Sequence, residues 1–385
     1  MIYPPEFIRR LARESVTQPI SVPVKSNSAT YFDRVGEHKL GWRAFRREIV
    51  YRLSGQDRYR VDRIRENFKR GLWMYFGVPQ IGDSLMDLAP RSLFKEAGVQ
   101  VDLITHQHLA DLYSHDPWFG AVYSDFSVID KGAYDFVIVP SNKYRSLNLK
   151  RRNLPHHPWL SMHGRFTGPD FHRAEFATRR IADFLALAPS PESFAWHARP
   201  KLGNDAEDLG DCRIPDFPPG TIALALGGVD ARRTYLHWPE VVRYLQNAGL
   251  CDIVLLGSAN GLEAARQIME QDDAPGRIFD LVGKTSLAAC RKVLSRCALA
   301  IAADGGLMHL AIAEQVPVIS LFHSDEQPRS QWFLPASEVA RAIHSTTRDV
   351  SDIEPHQIAE LARNSADGAK VHFQPTRLSG YQRPI

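Results

Sequence analysis

The sequence predicts an α/β protein built of two doubly wound, Rossmann-like domains that face each other across a cleft. Three observations carry this. The chain has 385 residues, more than one hydrophobic core usually organises. Short apolar runs alternate with helical patterns from Gly71 onward, the signature of βαβ units and a parallel sheet. Residues 188–220, rich in Pro, Gly and acidic residues and without a sustained period, separate two such series.

The elements follow in order. Residues 1–70 form a basic N-terminal extension, aromatic and Arg-rich, with weak periodicity around Trp42–Leu53. In the first domain, 71–190, GLWMYFGVP, VQVDLITH and YDFVIVPS read as strands. Between them, Asp83–Ala97, which contains Pro90, and Gln107–Tyr113 are expected helices. The run FHRAEFATRRIADFLAL at Phe171–Leu187 has apolar residues near helical spacing and closes this domain. Residues 191–220 read as a linker. The second domain, 221–350, runs through TIALALGG, a helix from Pro239, CDIVLLGS, a helix from Leu262, IFDLVG, ALAIAADGG and VPVISLFHS. Residues 351–385 hold a late helix, EPHQIAELARNS, and a polar tail. Ligands of such sheets bind beyond the carboxyl ends of the strands, so two facing domains place the site between them.

Composition narrows the function classes. No apolar run approaches the roughly 18–20 residues of a bilayer-spanning helix, and the longest candidates, such as Thr221–Val229, are strand-length. The opening MIYPPEFIRRLARE places charges where a signal peptide needs an apolar core, so the cytoplasm is the expected compartment. Cys212, Cys251, Cys290 and Cys297 lack the paired spacing of a structural zinc site and read as buried thiols. Residues 1–70 hold 16 Lys/Arg against 8 Asp/Glu, leaving 31 against 36 for the rest. That basic segment suits anionic lipid, phosphorylated glycolipid or nucleic acid, or a solvated helical surface. No nucleic-acid motif accompanies it, which ranks nucleic acid last.

The segment LAIAADGGLMHLAIAEQVPVISLF carries the clearest chemistry. A buried strand ends at Asp304, Gly305 and Gly306 follow, and a helix then carries Leu307, Met308 and His309. The glycines are expected to allow a tight turn and close approach of a ligand, while the first helical N–H groups stay free for an anion. That arrangement suits a diphosphate, with His309 in the first turn as a further donor. The alternative is a purely structural strand-to-helix turn.

Together with DLVGKTSL at Asp280–Leu287, HWPE at His237–Glu240, the CDIVLLGS strand and IGDSLMDLAPRSLFKEAG in the first half, this segment resembles glycosyltransferase family 9, the ADP-heptose:lipopolysaccharide heptosyltransferases, in motif order and spacing. The resemblance covers most of residues 71–330. It implies the two-domain GT-B fold, with the acceptor mainly on the N-terminal half and the nucleotide sugar on the C-terminal half. A late helix would cross back to brace the first domain. It also implies inverting transfer of heptose from ADP-heptose without a required metal or cofactor. No convincing D-x-D motif is present.

Inversion needs a base for the acceptor hydroxyl, and Asp83, preceded by Gly82, matches the family's glycine-aspartate position. Its structural alternative is an N-cap. Asp304, Gly305, Gly306, Leu307, Met308 and His309 would receive the departing diphosphate. The family's basic residue two positions before the tryptophan of the W-P pair is Leu236 here, with Arg232 and Arg233 as neighbouring substitutes. Glu263, Lys284 and Thr285 resemble further donor-side elements, although Glu263 also suits a helix first turn. Lys143, Arg145, His163 and Arg165, in a loop-rich stretch with Arg, His and Trp, are expected acceptor contacts. An anionic glycolipid is the expected acceptor, with peripheral association at the inner membrane face. The competing readings are transfer of another sugar, a nucleotide-sugar epimerase, and a non-catalytic nucleotide-sugar-binding protein.

Overall fold

The structure, a computed structural model, describes residues 5–26, 31, 35–168, 171–203, 214–271, 277–326 and 340–372. Cys212, expected as a buried thiol, lies outside them, as does the polar tail beyond residue 372. Two helices open the described chain, α1 (Pro5–Val16) and α2 (Glu37–Leu53). They meet where Gly41 lies so close to Ile8 that a Cβ would fall 2.3 Å from the Ile8 carbonyl oxygen.

The first domain then runs β1 (Arg70–Tyr75), α3 (Ile81–Asp87), α4 (Arg91–Glu96), β2 (Gln100–Thr105), α5 (Gln107–Tyr113), β3 (Val122–Tyr123), β4 (Phe136–Val139), α6 (Tyr144–Asn153), β5 (Trp159–Ser161), α7 (Arg173–Leu185) and α8 (Pro191–His197). All its strands are parallel, in the order β3-β2-β1-β4-β5. Successive β1 side chains point to opposite faces. Trp73 and Tyr75 pack with Leu85, Phe94 and Phe136, while Leu72 and Met74 pack with Val137, Leu147 and Trp159. Tyr51 of α2 joins this second face. The indole of Trp159 donates to the Gln56 carbonyl, 2.8 Å, and the buried Lys150 ammonium donates to the Gln56 side chain, 2.6 Å. The segment before β1 is thereby built into the domain.

The second domain comprises β6 (Ile222–Ala225), α9 (Trp238–Asn247), β7 (Asp252–Leu256), α10 (Leu262–Glu270), β8 (Arg277–Asp280), α11 (Leu287–Leu294), β9 (Leu299–Ala303), α12 (Gly306–Ala313), β10 (Val318–Phe322), β11 (Ala340–His344) and α13 (Pro355–His372). Its parallel sheet has the order β11-β10-β9-β6-β7-β8. In both sheets the winding direction reverses beside the first strand, between β1 and β4 and between β6 and β9, and such switch points open crevices at the carboxyl ends of the strands. Apolar packing continues between the domains, where α3 meets α12 and α5 meets α11.

Three expectations change. The single helix over Asp83–Ala97 is two, α3 and α4, interrupted at Leu88–Pro90, because proline disfavours helical geometry in the residue before it. The linker begins with a helix, α8, capped by the Ser190 hydroxyl and opened by Pro191. The late helix does not brace the first domain with its buried face: Ile358, Ala359 and Ala362 of α13 pack with Trp238, Val241 and Leu245 in the second domain's core. Among the described residues, no helix is long and apolar enough to cross a membrane.

Candidate functional site

A cleft of about 1280 Å³ lies between the two sheets' carboxyl edges. Its first-domain wall is the β1–α3 turn, Pro79–Asp83, with Met86 and His108. The facing wall is assembled from the ends of β6, β7 and β9: Gly227, Gly228 and Arg233, then Ser258 and Asn260, then Asp304–His309, with Thr285 beside them.

The two walls touch where α3 meets α12. Gly82 lies flat against His309, and a Cβ there would stand 2.2 Å from the imidazole Cδ2. Gly306 is nearly as close to Ile81, 3.1 Å from Cδ1. These glycines serve close approach of the two domains rather than a left-handed backbone, since neither has a positive φ, and Gly305 is extended. That corrects the tight turn expected at Gly305–Gly306. A conformational glycine does occur on this wall: Gly227 has φ +82° and no room for a side chain beside Asn260.

Gly305 caps α12 without a side-chain hydrogen bond, so the first amides of the helix, through Met308, face the cleft without intrahelical acceptors. His309 and Asp304 approach to 3.5 Å. Arg233 reaches Asp304 at 3.4 Å and also pairs with the buried Glu326, which holds the guanidinium at the mouth of this helix. Arg232 turns away, pairing at the exposed surface with Asp230, 2.7 Å. Leu236 is exposed on the surface and its amide donates to the Ser351 hydroxyl.

Asp83 sits in α3 and does not cap it; the N-cap is Gln80. Its Oδ1 accepts from Arg173 at 2.5 Å, and the same guanidinium clasps Asp87 through Nε and Nη2, 2.5 and 2.6 Å. Asp87 also accepts from the Tyr75 hydroxyl, 3.0 Å. The two carboxylates diverge in acidity. Burial raises the Asp83 pKa, with Arg173 opposing and Asp87 and Asp304 adding. Burial would also raise Asp87, but Arg173, His163 and Tyr75 together hold it below the ordinary value. Asp83 is therefore the better proton acceptor of the pair, and Asp87 a fixed counter-ion for Arg173.

Other expected site residues fall elsewhere. Thr285 lines the cleft, but Lys284 is exposed and pairs with Asp280, 2.6 Å. Glu263 faces solvent on α10, paired with Arg266 and bonded by Gln267. His163 is turned inward, stacked on Phe176 at 5.0 Å, and burial lowers its pKa to about 4. Arg165 pairs with Glu14 and Glu48 of α1 and α2. Arg145 is exposed, its Cδ close to Gly77 in the turn after β1. Sequence reading missed Arg173, whose partners lie 90 and 86 residues away. It also missed Ser258 and Asn260, which follow β7 where β-end residues were the available signal.

Two parallel, doubly wound domains with the cleft at both switch points define the class: the fold is the GT-B fold of glycosyltransferases. Residues 211–360, in the C-terminal half, match the model of glycosyltransferase family 9 (heptosyltransferase). Lipopolysaccharide heptosyltransferase 2 of Salmonella typhimurium is 31% identical over 149 residues, and its Escherichia coli counterpart 30%. These matches span 38% of this chain and 38% of each relative. Whole-chain likeness comes from structures. A glycosyl transferase family 9 protein from Veillonella parvula matches with TM-score 0.62 at 16% identity, covering 80% of this chain and 99% of that one. The Escherichia coli ADP-heptose lipopolysaccharide heptosyltransferase II matches with TM-score 0.59 at 18%, covering 78% and 99%. An Escherichia coli heptosyltransferase solved with ADP matches with TM-score 0.56 at 16%, covering 77% and 99%.

Proposed function

We propose that the protein is an inverting, metal-independent glycosyltransferase that moves heptose from ADP-heptose to a lipopolysaccharide core or related anionic glycan, with the acceptor presented at the inner membrane face. The observation that carries this reading is the placement of Asp83 opposite the uncapped start of α12, across the Gly82–His309 contact. A base and an anion-binding helix end then flank the same space.

In this reading the acceptor hydroxyl gives its proton to Asp83 as its oxygen attacks the anomeric carbon, and the bond to the diphosphate breaks on the opposite face. Arg173 occupies Oδ1 and leaves Oδ2 to take the proton. The departing ADP carries the negative charge to the amides of Gly306–Met308, to His309 and to Arg233. Arg233 thereby takes the phosphate-facing role for which Leu236 is unsuited. The nucleoside and sugar would lie toward Ser258, Asn260 and Thr285.

The test is incubation with ADP-heptose and heptose-deficient lipopolysaccharide, with and without a chelator. Acceptor-dependent ADP release, one added heptose by mass and an inverted anomeric signal by NMR are expected, all insensitive to chelation. ADP binding without transfer to any acceptor would reject the reading in favour of a binding protein. Conversion of the donor without an acceptor would favour an epimerase.

A further inference from the structure

Outside the cleft, the segment before β1 closes a small recess on the first domain. Its walls include Arg47, Glu48 and Tyr51 of α2, Asn142 and Lys143 after β4, and Arg165 after β5. Those loops leave the carboxyl ends of their strands, the same sheet edge that carries Asp83. His163, next to Gly164 of the recess, lies 3.9 Å from Asp87, which shares Arg173 with Asp83.

Three features point to an absent ligand. The side-chain amide of Asn142, a residue only 5% exposed, has no hydrogen-bond partner at either polar atom. Leaving such a group unsatisfied costs on the order of 1–3 kcal/mol. Arg47 and Lys143 have no carboxylate partner among the described residues, and each is disfavoured as a cation. For Lys143, burial is the first cause and the charges of Arg47 and Arg173 follow, even though the side chain reaches the exposed rim. For Arg47, burial leads and Arg43 adds, against Tyr31. The one carboxylate on the walls, Glu48, already accepts from Arg165 at 2.9 Å and Arg52 at 2.8 Å. The recess is thus left with excess positive charge and an idle amide donor. Its free space, about 20 Å³, excludes a sugar ring.

We propose that this recess binds a single oxyanion, phosphate or carboxylate, carried by the acceptor, and that Arg47 of α2 and Lys143 hold it while Asn142 donates to it. Oxyanion binding stands on the recess alone; its assignment to the acceptor rests on the transferase reading. The helical segment before β1 then takes part in substrate recognition and fixes the acceptor on the Asp83 side of the cleft.

The experiment uses the full chain saturated with ADP, so that the cleft's phosphate positions are filled. It is titrated at constant ionic strength with inorganic phosphate in one arm and acetate in the other, followed by NMR. Wild type should bind at least one of the two saturably. Arg47→Met and Lys143→Met should weaken that binding by about tenfold or more, and the exposed control Lys131→Met should not. Arg47→Met keeps the apolar stem, and an unchanged thermal midpoint shows that α1 and α2 still pack. In turnover, Arg47→Met should raise KM for the acceptor about tenfold with kcat within about twofold. Removing the acceptor's phosphates, or reducing its carboxylates in a parallel sample, should erase that difference for the group that binds. No saturable binding of either anion, or binding unchanged in both variants, overturns the site. Anion binding with an unchanged acceptor KM overturns the acceptor assignment. Anion binding by a wild type that transfers no sugar overturns the transferase reading and leaves the site standing.

Discussion

At the scale of residues, the site separates groups of the same type by environment. Asp83 and Asp87 share Arg173 yet shift in opposite directions, because Asp87 collects the bidentate contact and the Tyr75 hydroxyl while Asp83 keeps one oxygen toward the cleft. Arg232 and Arg233 are adjacent, but only Arg233 points into the cleft. Arg233→Ala is expected to weaken ADP binding by about 10- to 100-fold, while Arg232→Ala changes it by less than about threefold, measured by calorimetry. Equal losses would show that the cleft does not discriminate between them. His163 gives a pH prediction of definite sign. Its folded pKa, about 4, lies below the ordinary 6.5, so the unfolded chain takes up a proton first as pH falls. Stability should drop between those two values, by about 3 kcal/mol over the whole window. His163→Phe, which keeps the stack on Phe176, should lose less thermal stability between pH 7 and pH 5 than the wild type.

At the scale of elements, the two walls of the cleft meet where α3 packs on α12. A side chain at position 82 has no space while His309 stands where it does. Gly82→Ala should lower kcat by at least about tenfold, since the clash pushes one wall of the cleft away from the other. In a His309→Ala background the same change should cost much less, and a full additive loss would refute the contact. The element pattern was legible where strands were long and apolar: CDIVLLGS and ALAIAADGG contain β7 and β9, and GLWMYFGVP holds all of β1 but Arg70. It was illegible for β3, β5 and β11. The first two are only two and three residues long, and β11 carries the polar Arg341 and ends on His344. Ser190-Pro191-Glu192 signalled α8 locally, but the surrounding Pro and Gly content masked it.

At the scale of the whole molecule, two domains close one site, and each half was readable to a different depth. The α12 wall was legible because its glycines, helix start and His309 are contiguous in sequence. The opposing wall was legible only as far as Gly82–Asp83. Arg173 could not be found from spacing, because it reaches Asp83 and Asp87 from a helix 90 and 86 residues further along the chain. The role of residues 1–70 was likewise hidden: net charge marked them as basic, but only packing shows Tyr51 in the core and Arg47 at the recess.

The most direct test of a base facing an anion-binding helix end is acceptor-dependent ADP release by the wild type and by Asp83→Asn across pH. A base at Asp83 predicts a fall of about 10²–10⁴-fold in kcat for the variant, with ADP affinity preserved. The wild-type profile should show an acid limb centred above the ordinary aspartate value of 3.8, which the variant lacks. Transfer by Asp83→Asn at a rate near that of the wild type, with the same acid limb, would contradict it.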